Sequence, residues 1–349
     1  MLSADSSLVE KIYPLQSEEI REKVLASKLK DIELLQKFFR EAFTEMIAKI
    51  KKNTAVYLSE IHCILLGLHL QKVEITAEEK KLLFEYLVKA IDPNGGFFPT
   101  IISKDWQRRP RIYSTFYALA VIKLLEMDND FLRLQKEWSK RTVSWLLSAQ
   151  GTSGENEGAF LEEDCPLSIA PENTFWALWC LSYFQKNGLV ENIDNVVSKA
   201  CDWVRNHFMG NSEFWSSTRL FSALNILRTW CRHETLNEDR AREIVRFIDS
   251  LKSFEGYSEF PTSIKKGYRE DVGHAHVSLH STLYARFSLK ILNFSEFKLK
   301  DAITILDNFR RKEGFGTQLK IKEYEYGPSS TLFENFLAFV ACLSVLPED

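Results

Sequence analysis

Four groups of residues in this chain could do chemistry. The first is aromatic: 25 Phe, 11 Tyr and 8 Trp in 349 residues. Ring faces attract cations, so a ring-lined surface suits a greasy or carbocationic guest, while the same rings also serve as bulky core fillers. The second group is basic. Arg108-Arg109-Pro110-Arg111, with Lys104, lies just before Tyr113, and Lys265, Lys266 and Arg269 form a later cluster. Arginine forks pair bidentately with phosphate oxygens, so two such loops at one mouth would hold a diphosphate; scattered over a surface, they serve solubility. The third group is acidic: Glu162-Glu163-Asp164, Glu172, Glu334 and Asp128-Asn129-Asp130. Glu172 complements a helix dipole. Glu334 follows Thr331 by three residues, as a capping-box partner does. No DDxxD-type run offers the clustered carboxylates that magnesium-assisted ionisation needs. The fourth group is Asp271, His274, His276 and His280. Asp and His are zinc ligands. With no second cluster, these residues read as a polar rim loop, where a His could equally meet a substrate diphosphate.

The elements that must position these groups are legible as a repeat. Gly95-Gly96-Phe97 precedes Ser114-Thr115-Phe116-Tyr117-Ala118-Leu119. Gly158-Ala159-Phe160 precedes Asn173-Thr174-Phe175-Trp176-Ala177-Leu178. Glu213-Phe214-Trp215 runs into Ser217-Thr218, Gly256-Tyr257 precedes Ser281-Thr282, and Gly314-Phe315 precedes Ser330-Thr331. Ser59 opens a sixth, degenerate copy. Successive threonines lie about 44 to 64 residues apart, a period that suits a helix pair and a loop. Each Ser/Thr is expected to cap its helix, and each Gly to mark a turn with left-handed backbone. Amphipathic segments at 18–50, 76–91, 132–150, 190–208, 238–252 and 297–312 alternate with these apolar helices. Six polar-faced helices outside six apolar ones give an all-α fold, an (α/α)6 barrel.

Bulk composition narrows the function. Net charge is −3, so no global field favours nucleic acid. No uninterrupted apolar stretch is long enough to span a membrane. No signal peptide is evident at Met1-Leu2-Ser3-Ala4-Asp5. The six cysteines are scattered without a CxxC pair and read as reduced thiols of a cytoplasmic protein. Strand signals are almost absent.

Asp92-Pro93-Asn94-Gly95-Gly96-Phe97, followed by Tyr113 to Leu119, resembles the repeat of the prenyltransferase and squalene-cyclase superfamily. Trp145 to Gln150, followed by Gly158-Ala159-Phe160, resembles the Gln–Trp motif of triterpene cyclases, with Phe in the Trp place. The resemblance covers roughly residues 56–346. It implies a toroid over 56–349, with residues 1–55 as a helical segment packed on it, in one structural domain. Class II cyclases of this superfamily protonate an alkene or epoxide with the middle Asp of an Asp-x-Asp-Asp motif. The corresponding positions here read Ala170-Pro171-Glu172-Asn173-Thr174, which puts Glu172 in the acid's place and Asn173 beside it, with Asp164 as a further partner. Protein prenyltransferase β subunits instead hold zinc with Asp-x-Cys and a later His. Ser278, His280 and Ser330 fall at those places, so two of the three ligands are missing and no metal site is expected.

These readings lead to a terpene-cyclase-like enzyme, a lyase or isomerase, acting on an isoprenoid diphosphate. Glu172, Asn173 and Asp164 would be catalytic. Arg108, Arg109, Arg111, Tyr113, Phe116, Trp176, Trp179, Trp215, His280, Tyr284 and Phe333 would contact substrate. No cofactor is required, magnesium entering only with a diphosphate, and a second subunit or domain could act in trans. The alternatives are a non-catalytic isoprenoid-binding or scaffold toroid, and a protein-prenyltransferase β-like subunit. A carbohydrate-active (α/α)6 barrel would use the same aromatics to stack sugars, but the repeats favour the isoprenoid branch.

Overall fold

The computed structural model describes residues 13, 17–26, 30–101, 109–162, 170–231, 236–255, 265–268, 278–294, 305–307, 310–311, 314–315 and 332–343. In chain order the elements are α1 (Glu18–Ala26), α2 (Lys30–Lys51), α3 (Leu58–Leu70), α4 (Ala77–Lys89), α5 (Ile112–Leu124), α6 (Asp128–Leu134) and α7 (Lys136–Ser148). Then come α8 (Ala170–Lys186), α9 (Asp194–Trp203), α10 (Ser217–Trp230) and α11 (Glu238–Ser250). The strands β1 (Lys252–Glu255) and β2 (Lys265–Tyr268), helix α12 (Leu279–Ile291), strands β3 (Arg310–Arg311) and β4 (Gly314–Phe315), and helix α13 (Leu332–Leu343) complete the chain. The apolar helices thus open where the repeat places them. Of the expected outer segment 297–312, only 305–307 and 310–311 are described. The two short antiparallel ladders, β1 with β2 and β3 with β4, were not foreseen.

Contacts divide the chain into two units, Met1–Phe39 with Trp215–Asn225 and His233–Asp349, and Arg40–Phe214 with Ile226–Arg232. Within the second unit, α5 packs against α3 and against α8. These helices are apolar on nearly every side, and α5 buries Ile112, Phe116, Ala118, Leu119, Val121 and Ile122. The polar-faced helices bury one stripe only. In the first unit α11 buries Ala241, Ile244 and Ile248, and Asn237 accepts a hydrogen bond from the Arg240 N–H at its start. In the second, α4 opens with a Thr76–Glu79 capping box.

Thr115 and Thr174 do something other than cap. Arg111 holds the N-cap position of α5, and Thr115 lies one turn inside the helix. Its hydroxyl accepts from the Phe97 N–H at 3.1 Å and donates to the Arg111 carbonyl at 2.9 Å. The Thr174 hydroxyl accepts from the Phe160 N–H at 3.0 Å in the same way. The threonine therefore clamps the Gly–aromatic turn that precedes its helix. The far side of each turn is held by the next outer helix. The Trp138 indole N–H of α7 donates to the Asp92 carbonyl, and that of Trp203 at the end of α9 to the Glu155 carbonyl, each at 2.9 Å. Gly158 has φ +95°, and a Cβ there would lie 2.1 Å from the Lys199 carbonyl oxygen of α9, so only glycine fits.

The cysteines depart from expectation. Cys201 in α9 and Cys231, one residue past α10, form a disulfide, while Cys63 and Cys180 are buried thiols. The partners are 30 residues apart in sequence, and only packing brings them together.

Replacing Thr115 or Thr174 with Val keeps the side-chain shape and leaves a buried amide without its acceptor. Each change is expected to lower the unfolding free energy by about 1–3 kcal/mol in a urea titration, with Ser retaining most of it. Val variants as stable as the parent would show that the clamp is dispensable.

Candidate functional site

Exposure on the apolar helices of the second unit follows a rule. Along α5 every residue is buried up to Lys123 except Tyr113 and Tyr117. Along α8 every residue is buried up to Ser182 except Glu172 and Trp176. Each pair stands two residues before and two residues after the clamping threonine. Residues four apart share a helix face, so both helices present one stripe in one register that is half-buried where the rest is buried, called the open stripe below.

The stripes of α5 and α8 meet. The Tyr113 and Trp176 ring centroids are 5.9 Å apart, those of Tyr117 and Trp176 6.4 Å, and those of Tyr113 and Tyr117 6.3 Å. Behind them lies a second layer of rings. Phe116 stands edge-on to Trp179 at 5.0 Å, and Trp179 stacks on Tyr183 at 5.8 Å. Phe116 also meets Phe175, which meets Trp230 at 5.6 Å. The Trp230 indole is fixed in turn by its hydrogen bond to the Ser182 hydroxyl at 3.0 Å. The open rings thus rest on a close-packed aromatic support. Desolvation raises the phenol pKa of both Tyr113 and Tyr117, so both remain neutral at physiological pH.

His62 of α3 joins this wall, with its ring 5.1 Å from Tyr117 and 5.8 Å from Phe116. It is 3% exposed, and neither ring nitrogen has a hydrogen-bond partner among the described residues. Burial pushes its pKa down to about 3, so the imidazole is neutral. Sequence reasoning passed over His62, since a lone His in an apolar run carries no spacing signal.

The acidic and basic candidates are distributed as follows. Glu162 accepts from the Arg111 guanidinium at 3.0 Å and from the Ile112 N–H. This pair ties the second Gly–aromatic loop to the start of α5, where a carboxylate also suits the helix dipole. Arg111 is thus engaged with Glu162 in this structure, and Arg109 is exposed just ahead of it. Glu172 lies in the first turn of α8 and is half-buried, at one end of the open stripe; Asn173 is buried. Arg108 and Asp164 lie outside the described residues, as do Asp271, His274 and His276.

The remaining substrate candidates belong to the first unit. Trp215 is 2% exposed and packs edge-on against Phe247 of α11 at 5.3 Å. His280 occupies the Tyr113 register on α12 and is half-buried, and Tyr284 occupies the Tyr117 register but is 8% exposed. Ser278, at an expected ligand place, caps α12 by accepting from the Ser281 N–H at 3.1 Å. Phe333 lies on α13, with its side chain outside the described residues. No group of three or more metal-binding side chains occurs among the described residues, and no described helix is long and apolar enough to cross a membrane.

Chemically, the open rings of the second unit can take an apolar chain face-on and stabilise positive charge along it. A carboxyl one turn away stands in reach of the same surface.

The family model of the prenyltransferase α–α toroid domain matches residues 31–211 and 205–326. Protein geranylgeranyltransferase-I of Candida albicans, solved in complex with GGPP, matches this structure with a TM-score of 0.63. The identity is 14%, over 90% of this chain and 91% of that one. No curated protein matches. At that identity the structural likeness shows the fold, and with the family match it establishes the all-α toroid expected from the alternation of polar-faced and apolar helices.

The buried neutral imidazole sets a pH dependence. The unfolded state takes up a proton near pH 6.5 and the folded state only near pH 3, so stability is complete above 6.5 and falls on acidification. Between pH 6.5 and 5 the His62 contribution is expected to decline by about 1.4 kcal/mol per pH unit. His62→Phe should flatten that slope in urea melts. An unchanged slope would place the proton uptake elsewhere.

Proposed function

The chain belongs to the prenyltransferase α–α toroid family, and from that premise we propose that it binds an isoprenoid and acts on it as a terpene-cyclase-like enzyme. The observation that carries this reading is the open stripe of Tyr113, Tyr117 and Trp176 with Glu172 at its end, set in helices that are otherwise buried. In this reading the isoprenoid lies against the three rings. Their faces stabilise positive charge as it develops on the chain, and neutral phenols and indole do so without offering a nucleophile. Glu172 donates the initiating proton to an alkene or epoxide, and the carboxylate left behind offsets the new cation. Arg109, with Arg108 and Arg111, is the anion-binding candidate for a diphosphate, with Arg111 exchanging Glu162 for phosphate oxygens.

A second reading, a protein-prenyltransferase β-like subunit completed by a partner, is favoured by the likeness to the Candida albicans protein geranylgeranyltransferase-I. Against it, Ser278 stands at an expected ligand position and spends its hydroxyl on capping α12. The purified chain is accordingly expected to carry no stoichiometric zinc by elemental analysis. One zinc per chain, lost on changing His280, would favour the second reading.

Incubation with prenyl diphosphates and epoxides, followed by product extraction, tests the activity. Glu172→Gln is expected to lower product formation at least 100-fold, the scale of general acid catalysis, with substrate affinity nearly unchanged. Trp176→Ala is expected to weaken binding by about 1.5–3 kcal/mol, as loss of a large apolar contact does. Parent-like turnover by Glu172→Gln would remove the acid assignment, and failure of every isoprenoid to bind would remove the reading.

A further inference from the structure

Two tryptophans beside the ends of one disulfide hold α8 in two places. Cys201 of α9 is bonded to Cys231, one residue past α10. Trp203 lies two residues after Cys201, and its indole N–H donates to the Glu155 carbonyl at 2.9 Å. Glu155 belongs to the loop that leads into Phe160, whose N–H is held by Thr174 of α8. Trp230 lies one residue before Cys231. Its indole donates to the Ser182 hydroxyl of α8 at 3.0 Å, and its ring meets that of Phe175 on the same helix at 5.6 Å. All of these residues belong to the second unit.

The supports therefore form a closed circuit: α8, the Gly–aromatic turn, α9, the sulfur bridge, the end of α10, and α8 again. Successive residues of a helix are about 100° apart, so Cys201 and Trp203 stand on nearly opposite sides of α9. One side grips the turn, where the Val196 carbonyl also accepts from Gln150 at 2.9 Å and Lys199 pairs with Glu157 at 3.7 Å. The other side is tied covalently to the end of α10. The first turn, at Phe97, is backed differently. There α7 supplies Trp138, Arg141 and Thr142 to the Asp92 carbonyl, the Pro93 carbonyl and the Gly96 N–H, and α7 contains no cysteine.

We propose that Cys201–Cys231 is a redox latch for α8, a site that a dithiol reductant opens and a disulfide oxidant closes. Closed, it keeps the Thr174 clamp and the Trp230 prop in place together, so that α8 holds Glu172 and Trp176 at the open stripe. Opened, it frees α9 to move off the turn while Trp230 keeps its own contacts, and the clamp loses its backing. The effect on a ligand rests on the isoprenoid reading; the effect on the turn does not. Opening is a thiol–disulfide exchange. A thiolate of the dithiol attacks the sulfur of Cys231, the more exposed partner at 7% against 2% for Cys201, and Cys201 leaves as a thiolate that takes up a proton. The second thiol of the reductant then displaces Cys231. One S–S bond is lost from the protein and one is gained by the reductant, and two hydrogens pass to the cysteines.

Amide hydrogen exchange reads the latch without any ligand. Dithiothreitol is expected to speed exchange of the Phe160 amide about tenfold relative to that of Phe97, whose turn has no disulfide behind it. An unchanged ratio would overturn the proposal. So would a bond that dithiothreitol leaves intact in the folded protein, read by alkylating free thiols in denaturant before peptide mapping. A Cys201→Ser, Cys231→Ser double variant should exchange as the reduced parent does and ignore dithiothreitol; a response that persists would place the reducible group elsewhere and overturn the latch. The parent alone supplies the exchange ratio, so the test stands even where the variant does not fold. Farnesol is expected to bind the oxidised parent about threefold more tightly than the reduced one, as a fall in the binding-competent fraction dictates. Equal affinity would overturn the hold of the latch on the stripe. If farnesol binds neither form, the isoprenoid reading fails, and the exchange ratio decides on the latch alone.

Discussion

The hydrogen bond from a turn amide to a threonine hydroxyl is the constraint on which the rest of the second unit depends. Phe97 gives its N–H to Thr115, and Phe160 gives its N–H to Thr174. Both hydroxyls are buried, so the bond is formed where water cannot compete and a lost partner is costly. It does more than stabilise. A threonine held to a fixed turn fixes the rotation of its helix about the axis. That rotation decides which residues face the core and which face open space. Tyr113 with Tyr117, and Glu172 with Trp176, are open because each pair brackets a clamped threonine at the same offset.

The turn that anchors the threonine is itself anchored from outside. Trp138 and Trp203 lend indole N–H groups to turn carbonyls, and the Gln150 side chain reaches both the Gly158 and the Val196 carbonyls, at 3.1 and 2.9 Å. The missing side chain of Gly158 lets α9 approach its turn closely. Each repeat is therefore completed by the outer helix of the next, as expected of a structure in which no repeat buries its apolar face alone. The same logic explains the aromatic excess. Rings at the open register need a rigid floor, and the edge-on and stacked contacts among Phe116, Phe175, Trp179 and Tyr183 supply one. His62 adds a buried neutral imidazole beside that floor, at an energetic cost that a core leucine would not incur.

Much of the fold was legible because the repeat depends on residues with few substitutes. A Gly with φ near +95° and a Thr with a buried hydroxyl cannot be exchanged freely, so they stand out at regular spacing. The openings of α5, α8, α12 and α13 follow from such pairs, and those of α3 and α10 from the degenerate copies at Ser59 and Ser217-Thr218. The role of the threonine was not legible. A Ser or Thr near a helix start looks like a cap, and only the partner amide of Phe97, 18 residues upstream, shows otherwise. The disulfide between Cys201 and Cys231 depends on long-range packing, which spacing does not encode. Of the candidate site, Tyr113, Phe116, Trp176 and Trp179 are drawn into one aromatic wall. Trp215, chosen for the same chemistry, packs against α11 instead, because an aromatic beside a cassette faces either way according to an offset that residue type does not reveal.

We propose that the register set by the clamped threonines is the surface that meets an isoprenoid. A prenyl diphosphate carrying a photoreactive diazirine on its chain tests this directly, with the adducts located by peptide sequencing. Labels are expected on Tyr113, Tyr117 and Trp176, suppressed by unlabelled farnesyl diphosphate. Labels confined to the polar-faced helices over 136–148 and 238–250, or labels that competitor does not suppress, would contradict it.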